Sequence, residues 1–198
     1  YLPLALVRGK SLAGIRQRLG TCCAQTACGT SGTGTIWLHA VSVGEVNAAS
    51  PLVQRLLREY PSYRLIVSTI TVTGQQVARR LFPENVQVTY LPVDLSFLVR
   101  RVMERVRPSL FIIMETELWP NLITALDRMR VPVVVVNGRI SDATTAWYAL
   151  IRPVFGAVLS RVRLFCVRSD EDAARYIRIG APPERVIVTG NLKFSTVP

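Results

Sequence analysis

Three glutamates stand where short apolar runs give way to polar residues, and a carboxylate so placed has two kinds of work open to it. Glu45 follows Ser42-Val43-Gly44 at the turn from an apolar run into a helical pattern. A fixed carboxylate there can take a proton from an attacking hydroxyl. As a first-turn residue it also stabilises its helix, whose positive end favours the ionised form. The residues alone leave both roles open, and helix stabilisation is the commoner of the two. Glu115 and Glu117 flank Thr116 directly after Phe-Ile-Ile-Met. In extended geometry alternate side chains face the same way, so both would enter one pocket. The Leu-Trp-Pro that follows opens a helix, which gives Glu117 a competing role as a cap. Lys193, one of two lysines among 24 basic residues, follows Val-Ile-Val-Thr-Gly-Asn. It reads either as a solvated surface lysine or as a cation that neutralises a substrate phosphate or carboxylate.

Other candidates carry less. His39 lies inside an apolar run and reads as a buried, hydrogen-bonded histidine. Ser169-Asp170-Glu171-Asp172 looks like an acidic metal motif, but a serine followed by acids before a helix is ordinary capping. No G-x-G-x-x-G or G-x-x-x-x-G-K-[ST] segment is present, nor a cysteine–histidine cluster or nucleophile elbow. Dinucleotide, P-loop and metal chemistry are therefore not expected, and no cofactor is.

The elements that must position these residues follow from periodicity. Apolar runs predict strands at 36–41, 64–69, 86–91, 109–114, 131–136, 162–167 and 185–189. Helical patterns separate them, at 51–60, 74–82, 96–106, 119–129, around 143–160 and at 170–180. Alternating strands and helices, with the strands apolar on both faces, predict an α/β, Rossmann-like parallel sheet with helices on both sides. In such sheets the working groups collect beyond the carboxyl ends of the strands. That rule adds Ser42, Gly44, Thr73, Gly74, Glu117, Asn137 and Arg139 as candidate substrate-binding residues.

The chain has 198 residues, 49% of them hydrophobic, which suffices for one such domain with a short appendage but not for two. Residues 1–19 read as a basic membrane-proximal segment, 20–35 as a linker, and 36–198 as the domain. The apolar start is far too short to span a bilayer. With Arg8, Lys10, Arg16 and Arg18 behind it, it reads as the trimmed end of a membrane anchor or as a free terminus. Tyr1 and Pro198 read as cut edges of a longer protein. The net charge of +11, almost all arginine, suits a nucleic acid, an acidic membrane or a phosphorylated lipid, and codon usage explains it equally well. Cys22, Cys23, Cys28 and Cys166 lack paired spacing, which points to reduced thiols in the cytosol, with Cys166 in a buried strand.

Taken in order, HAVSVGEVNAASPLV, TVTG, YLPVDL, RPSLFIIMETELWPNLI, NGRISD and IGAPPERVIVTGNLKF resemble the Kdo (3-deoxy-D-manno-octulosonic acid) transferases over residues 36–194. VSVGE and METELWPNL carry the most specific likeness. The chain departs from the family pattern at NGRIS, where NAR is common, at VRSDED, where glutamine-serine commonly precedes the acids, and at GNLKFS in place of GNLKFD. The resemblance implies the N-terminal half of a two-domain GT-B glycosyltransferase in lipopolysaccharide core biosynthesis, at the cytoplasmic face of the inner membrane. That half would receive a lipid A precursor, with donor CMP-Kdo held by a C-terminal domain absent here. The transfer would be inverting and metal-independent, with no role for nucleic acid. By motif, Glu45 becomes the general base, and Glu115 and Lys193 stabilise the transition state. The competing expectation is a non-catalytic Rossmann-like module that binds an anionic lipid or polymer.

Overall fold

The computed structural model describes residues 14–20, 33–150 and 152–192. The expectations for Arg8, Lys10, Cys22, Cys23, Cys28 and Lys193 lie outside the described residues. Seven strands form, all where apolar runs predict them: β1 (Gly34–His39), β2 (Tyr63–Thr69), β3 (Val86–Tyr90), β4 (Leu110–Met114), β5 (Val133–Gly138), β6 (Leu164–Val167) and β7 (Val186–Val188). The helices are α1 (Ile15–Arg18), α2 (Val43–Glu59), α3 (Val72–Leu81), α4 (Ser96–Val106), α5 (Pro120–Arg128), α6 (Asp142–Leu150), α7 (Arg152–Leu159) and α8 (Asp170–Arg178). Every strand pair is parallel, in the order β3-β2-β1-β4-β5-β6-β7. This is the expected Rossmann-like fold, and its order reverses between β1 and β4. Ligands of such sheets settle in the crevice outside the strand ends at that reversal.

Alternation along the strands sorts the core into two layers. Ile36, Leu38, Leu65, Val67, Ile112 and Met114 face one side, where Val46, Ala49 and Val53 of α2 and Ala78 of α3 cover them. Trp37, Phe111, Ile113, Val133 and Val135 face the other, packed by Val99, Val102 and Met103 of α4 and Leu122 and Leu126 of α5. Coverage is uneven. On the α2–α3 side, Val134, Val136, Leu164 and Cys166 are only half-buried, and Ile187 is 43% exposed. Helices do flank both faces as expected, but the reading of Cys166 as buried is corrected: among the described residues the helix side of that layer comes from α2 and α3, which leaves Cys166 half-buried.

Arg18 needs a second correction. It was expected in a basic, membrane-proximal set, yet it is buried. Its guanidinium lies 4.2 Å from the centre of the Tyr90 ring and donates to the Ile70 carbonyl. The Val93 amide donates to the Arg18 carbonyl at 3.0 Å. Tertiary contacts thus absorb this cation and dock α1 on the sheet, with burial pushing its pKa down.

The start of α5 is secured from a distance. Pro120 opens the helix and has no amide hydrogen to satisfy. Asp94, beyond β3, accepts from the next two amides, Asn121 at 3.1 Å and Leu122 at 2.8 Å. An aspartate far away in sequence thus does the work of an N-cap, and Glu117 does not. Asp94→Ala is expected to cost about 1–2 kcal/mol, the usual loss for a cap, read as a lower melting temperature. Asp94→Asn keeps one acceptor oxygen but turns an amide NH2 towards the other backbone donor, so it should melt between Asp94→Ala and wild type.

Candidate active site

The β1–α2 turn is built around one peptide. Val41 donates its amide hydrogen to Glu45 Oε2 at 2.8 Å. Its carbonyl accepts from the Ile70 amide at 3.2 Å, the Thr71 amide at 3.1 Å and Thr71 Oγ1 at 3.2 Å. Thr71 also caps α3, accepting from the Gly74 amide at 3.0 Å. A Cβ on Gly74 would stand 2.7 Å from Thr71 Oγ1 and 3.3 Å from the Val41 carbonyl oxygen. Gly74 is therefore a spacer that lets α3 abut this turn, with its amide already taken. Thr73 and Gly44 are exposed beside it.

Glu45 also accepts from Ser42 Oγ at 3.2 Å. Capping and catalysis are not alternatives at this residue, because the same contacts that close the helix start hold the carboxylate still. It is 8% exposed. Burial lifts its pKa from 4.5 to about 7, against the pull of the Val41 amide, and Glu117 and Glu115 add to the rise. Desolvation, the largest cause, works against the ionised form that a helix start favours. Burial and then Glu115 raise the Glu117 pKa as well.

Glu115 departs from the extended geometry expected of it. Its φ is 57°, so β4 ends at Met114 and the chain turns left-handed. The two carboxylates do share a region, yet extended alternation does not bring them there. Glu115 Oε1 is ion-paired with Arg168 Nη2. Tyr176, fully buried in α8, donates its hydroxyl hydrogen to the Glu115 carbonyl at 2.9 Å. Thr116 Oγ1 donates to the Arg139 carbonyl, tying the loops after β4 and β5 while the Arg139 side chain stays exposed. Asn137 is fully buried at an irregularity in β5, with φ 58°, and its Oδ1 accepts from Arg168 Nε at 3.0 Å and the Leu192 amide at 3.3 Å. Such irregularities recur beside active sites, where they re-aim a side chain.

Arg168 is the residue that the sequence reading missed. The strand-tip rule that found Glu45, Glu115 and Asn137 points equally to the end of β6, where Arg168 sits. His39 is as expected, fully buried with Nδ1 2.9 Å from Ser68 Oγ, and burial drops its pKa to about 3, so it is neutral. The acidic cluster is a cap: Ser169 Oγ accepts from the Asp172 amide at 3.2 Å, and Asp172 Oδ1 accepts from the Ile140 amide at 3.1 Å. The site can hold one fixed carboxylate near neutrality beside a second that is paired with an arginine. That is acid–base equipment.

Residues 13–196 match the family model described as 3-deoxy-D-manno-octulosonic-acid transferase. The 3-deoxy-D-manno-octulosonic acid transferase of Haemophilus influenzae is 39% identical over 159 residues, which are 80% of this chain and 37% of that protein. The Chlamydophila psittaci transferase is 34% identical over 167 residues, 83% of this chain and 39% of that protein. The chain thus spans less than two-fifths of the length of these relatives. Among solved structures, UDP-GlcNAc 2-epimerase from Neisseria meningitidis aligns with a TM-score of 0.55 and 11% identity, covering 80% of this chain and 47% of that one. The S. aureus MnaA–UDP structure aligns with a TM-score of 0.56 and 15% identity, over 81% of this chain and 46% of that one. Likeness at that identity concerns the fold alone.

Proposed function

Because this chain belongs to the 3-deoxy-D-manno-octulosonic-acid transferase family, we propose that it is the acceptor-binding, N-terminal half of an inverting GT-B glycosyltransferase. The enzyme moves Kdo from CMP-Kdo to a lipid A precursor, at the cytoplasmic face of the inner membrane. The observation that carries this reading is Glu45, buried at the β1–β4 reversal with a pKa of about 7.

In the reaction, ionised Glu45 takes the proton of an acceptor hydroxyl. The freed oxygen attacks the anomeric carbon of Kdo while the bond to CMP breaks and CMP leaves with the electron pair. A base with a pKa near the working pH combines a useful ionised fraction with enough proton affinity to act. Oε1, which among the described residues accepts the weaker 3.2 Å hydroxyl contact from Ser42, is the oxygen that receives the proton. Glu115 and Lys193 stabilise charge in the transition state, and half-buried Glu117 is a binding residue for the acceptor. Ser42, Gly44, Thr73 and Arg139 line the acceptor's approach, Asn137, expected among them, is buried behind it, and Gly74 keeps the turn closed behind Glu45. A pure phosphate binder gains nothing from three carboxylates at its mouth.

Among the described residues no helix is long and apolar enough to cross a membrane. The basic residues Arg8, Lys10 and Arg16 of the N-terminal segment are assigned to the membrane surface on their charge, with Arg18 withdrawn into the fold. The complete enzyme should transfer Kdo from CMP-Kdo to a lipid A precursor, and absence of that transfer would overturn the activity. The 198-residue chain alone should transfer none and show no saturable CMP binding in titration calorimetry. Tight CMP binding by the chain alone would place the donor site here and end the two-domain reading.

A further inference from the structure

We propose that Arg168 is a positioning residue that works through Glu115: it clasps the tips of three neighbouring strands and cancels the Glu115 charge beside the base. The proposal rests on the reading of Glu45 as that base.

The clasp lies in a small space at the ends of β4, β5 and β6. The Arg168 amide donates to the Gly138 carbonyl at 3.1 Å. Its Nε donates to Asn137 Oδ1 at 3.0 Å and lies 3.3 Å from the Asn137 carbonyl oxygen. Its Nη2 is paired with Glu115 Oε1, and the two side chains are 15% and 23% exposed. A guanidinium spans two acceptors in this way because its donors form a rigid planar fork, which an ammonium lacks. Both acceptor residues are non-glycine and left-handed, with φ of 57° and 58°. That conformation is strained for a residue that carries a Cβ, and something must hold it. The hydrogen bond from Leu192 to Asn137 Oδ1 carries the clasp to the segment that leads into Lys193.

The charge has a separate consequence. Around Glu115 stand Glu117 of its own loop, Glu45 of α2, and Tyr176 of α8 with Asp172 behind it; Tyr148 of α6 lies by Glu117. Among the described residues Arg168 is the cation that pairs with Glu115. Without it, the full negative charge of Glu115 would act on Glu45, and the base would keep its proton to higher pH.

The test is a set of pH profiles of kcat/KM in the complete enzyme, with melting temperatures alongside. Arg168→Gln should move the acid limb up by about one pH unit, the order of shift that one unneutralised charge produces, and lower kcat/KM roughly fivefold at pH 7. Arg168→Lys, which keeps the charge and is the fallback should the glutamine variant misfold, should restore the limb without restoring the full rate. In a Glu115→Gln background, Arg168→Gln should leave the limb in place. An unmoved limb with the rate per folded molecule preserved would make Arg168 merely structural and overturn the proposal. So would an equal shift in the Glu115→Gln background. Failure of the base assignment itself appears elsewhere, as turnover retained by Glu45→Gln.

Discussion

Glu45→Gln in the complete enzyme should lower turnover by about 10²–10⁴-fold, the range that a positioned general base contributes. Glutamine has the same shape, and its carbonyl oxygen can still accept from the Val41 amide that now holds Oε2. The turn therefore keeps its form, and what disappears is the ability to take a proton at neutral pH. The measurement is single-turnover transfer of Kdo, where chemistry rather than product release sets the rate. If the variant keeps more than about a tenth of wild-type turnover under those conditions, Glu45 is not the base and Glu115 is the next residue to substitute.

The same substitution should make the protein more stable at alkaline pH. Burial holds the Glu45 pKa at about 7 in the folded protein, against the ordinary 4.5. Between those values the folded state carries a proton that the unfolded chain has lost. Stability therefore falls as pH rises through that window, and the loss is complete above it. A gap of that size corresponds to about 3 kcal/mol at pH 8. Glutamine never ionises, so Glu45→Gln should melt several degrees above wild type at pH 8, with the difference closing towards pH 5. A purely structural cap predicts the reverse, a variant that is less stable at pH 8. Lost rate with gained stability is the signature of a group kept for its chemistry.

Much of this was legible in the sequence, and the illegible part has one physical cause. All seven strands announce themselves as apolar runs because a parallel sheet buries both faces of its central strands. The strand-tip rule then locates Glu45, Glu115 and Asn137. Pro51 hid the first two turns of α2: it reads as a helix start, yet it sits on the exposed side inside a helix that begins at Val43. What periodicity cannot carry is contact between distant segments. The Asp94 cap on α5, the burial of Arg18 against Tyr90 and the pairing of Arg168 with Glu115 each join residues that no local pattern relates. The desolvation of Glu45 belongs with them, because it is a property of everything packed around the carboxylate rather than of its neighbours in the chain.

The uneven covering of the sheet grades its stiffness. β1 and β4 lie at the centre with helices against both faces, so parting them means opening both core layers at once. β7 is an edge of three residues with Ile187 and Val188 largely in the open, and releasing it uncovers little. Local opening is cheapest where few apolar contacts are lost. Among the described strands local opening is thus cheapest at the β7 rim, while Glu45 and Glu115 follow β1 and β4, the neighbouring strands whose separation would uncover both core layers.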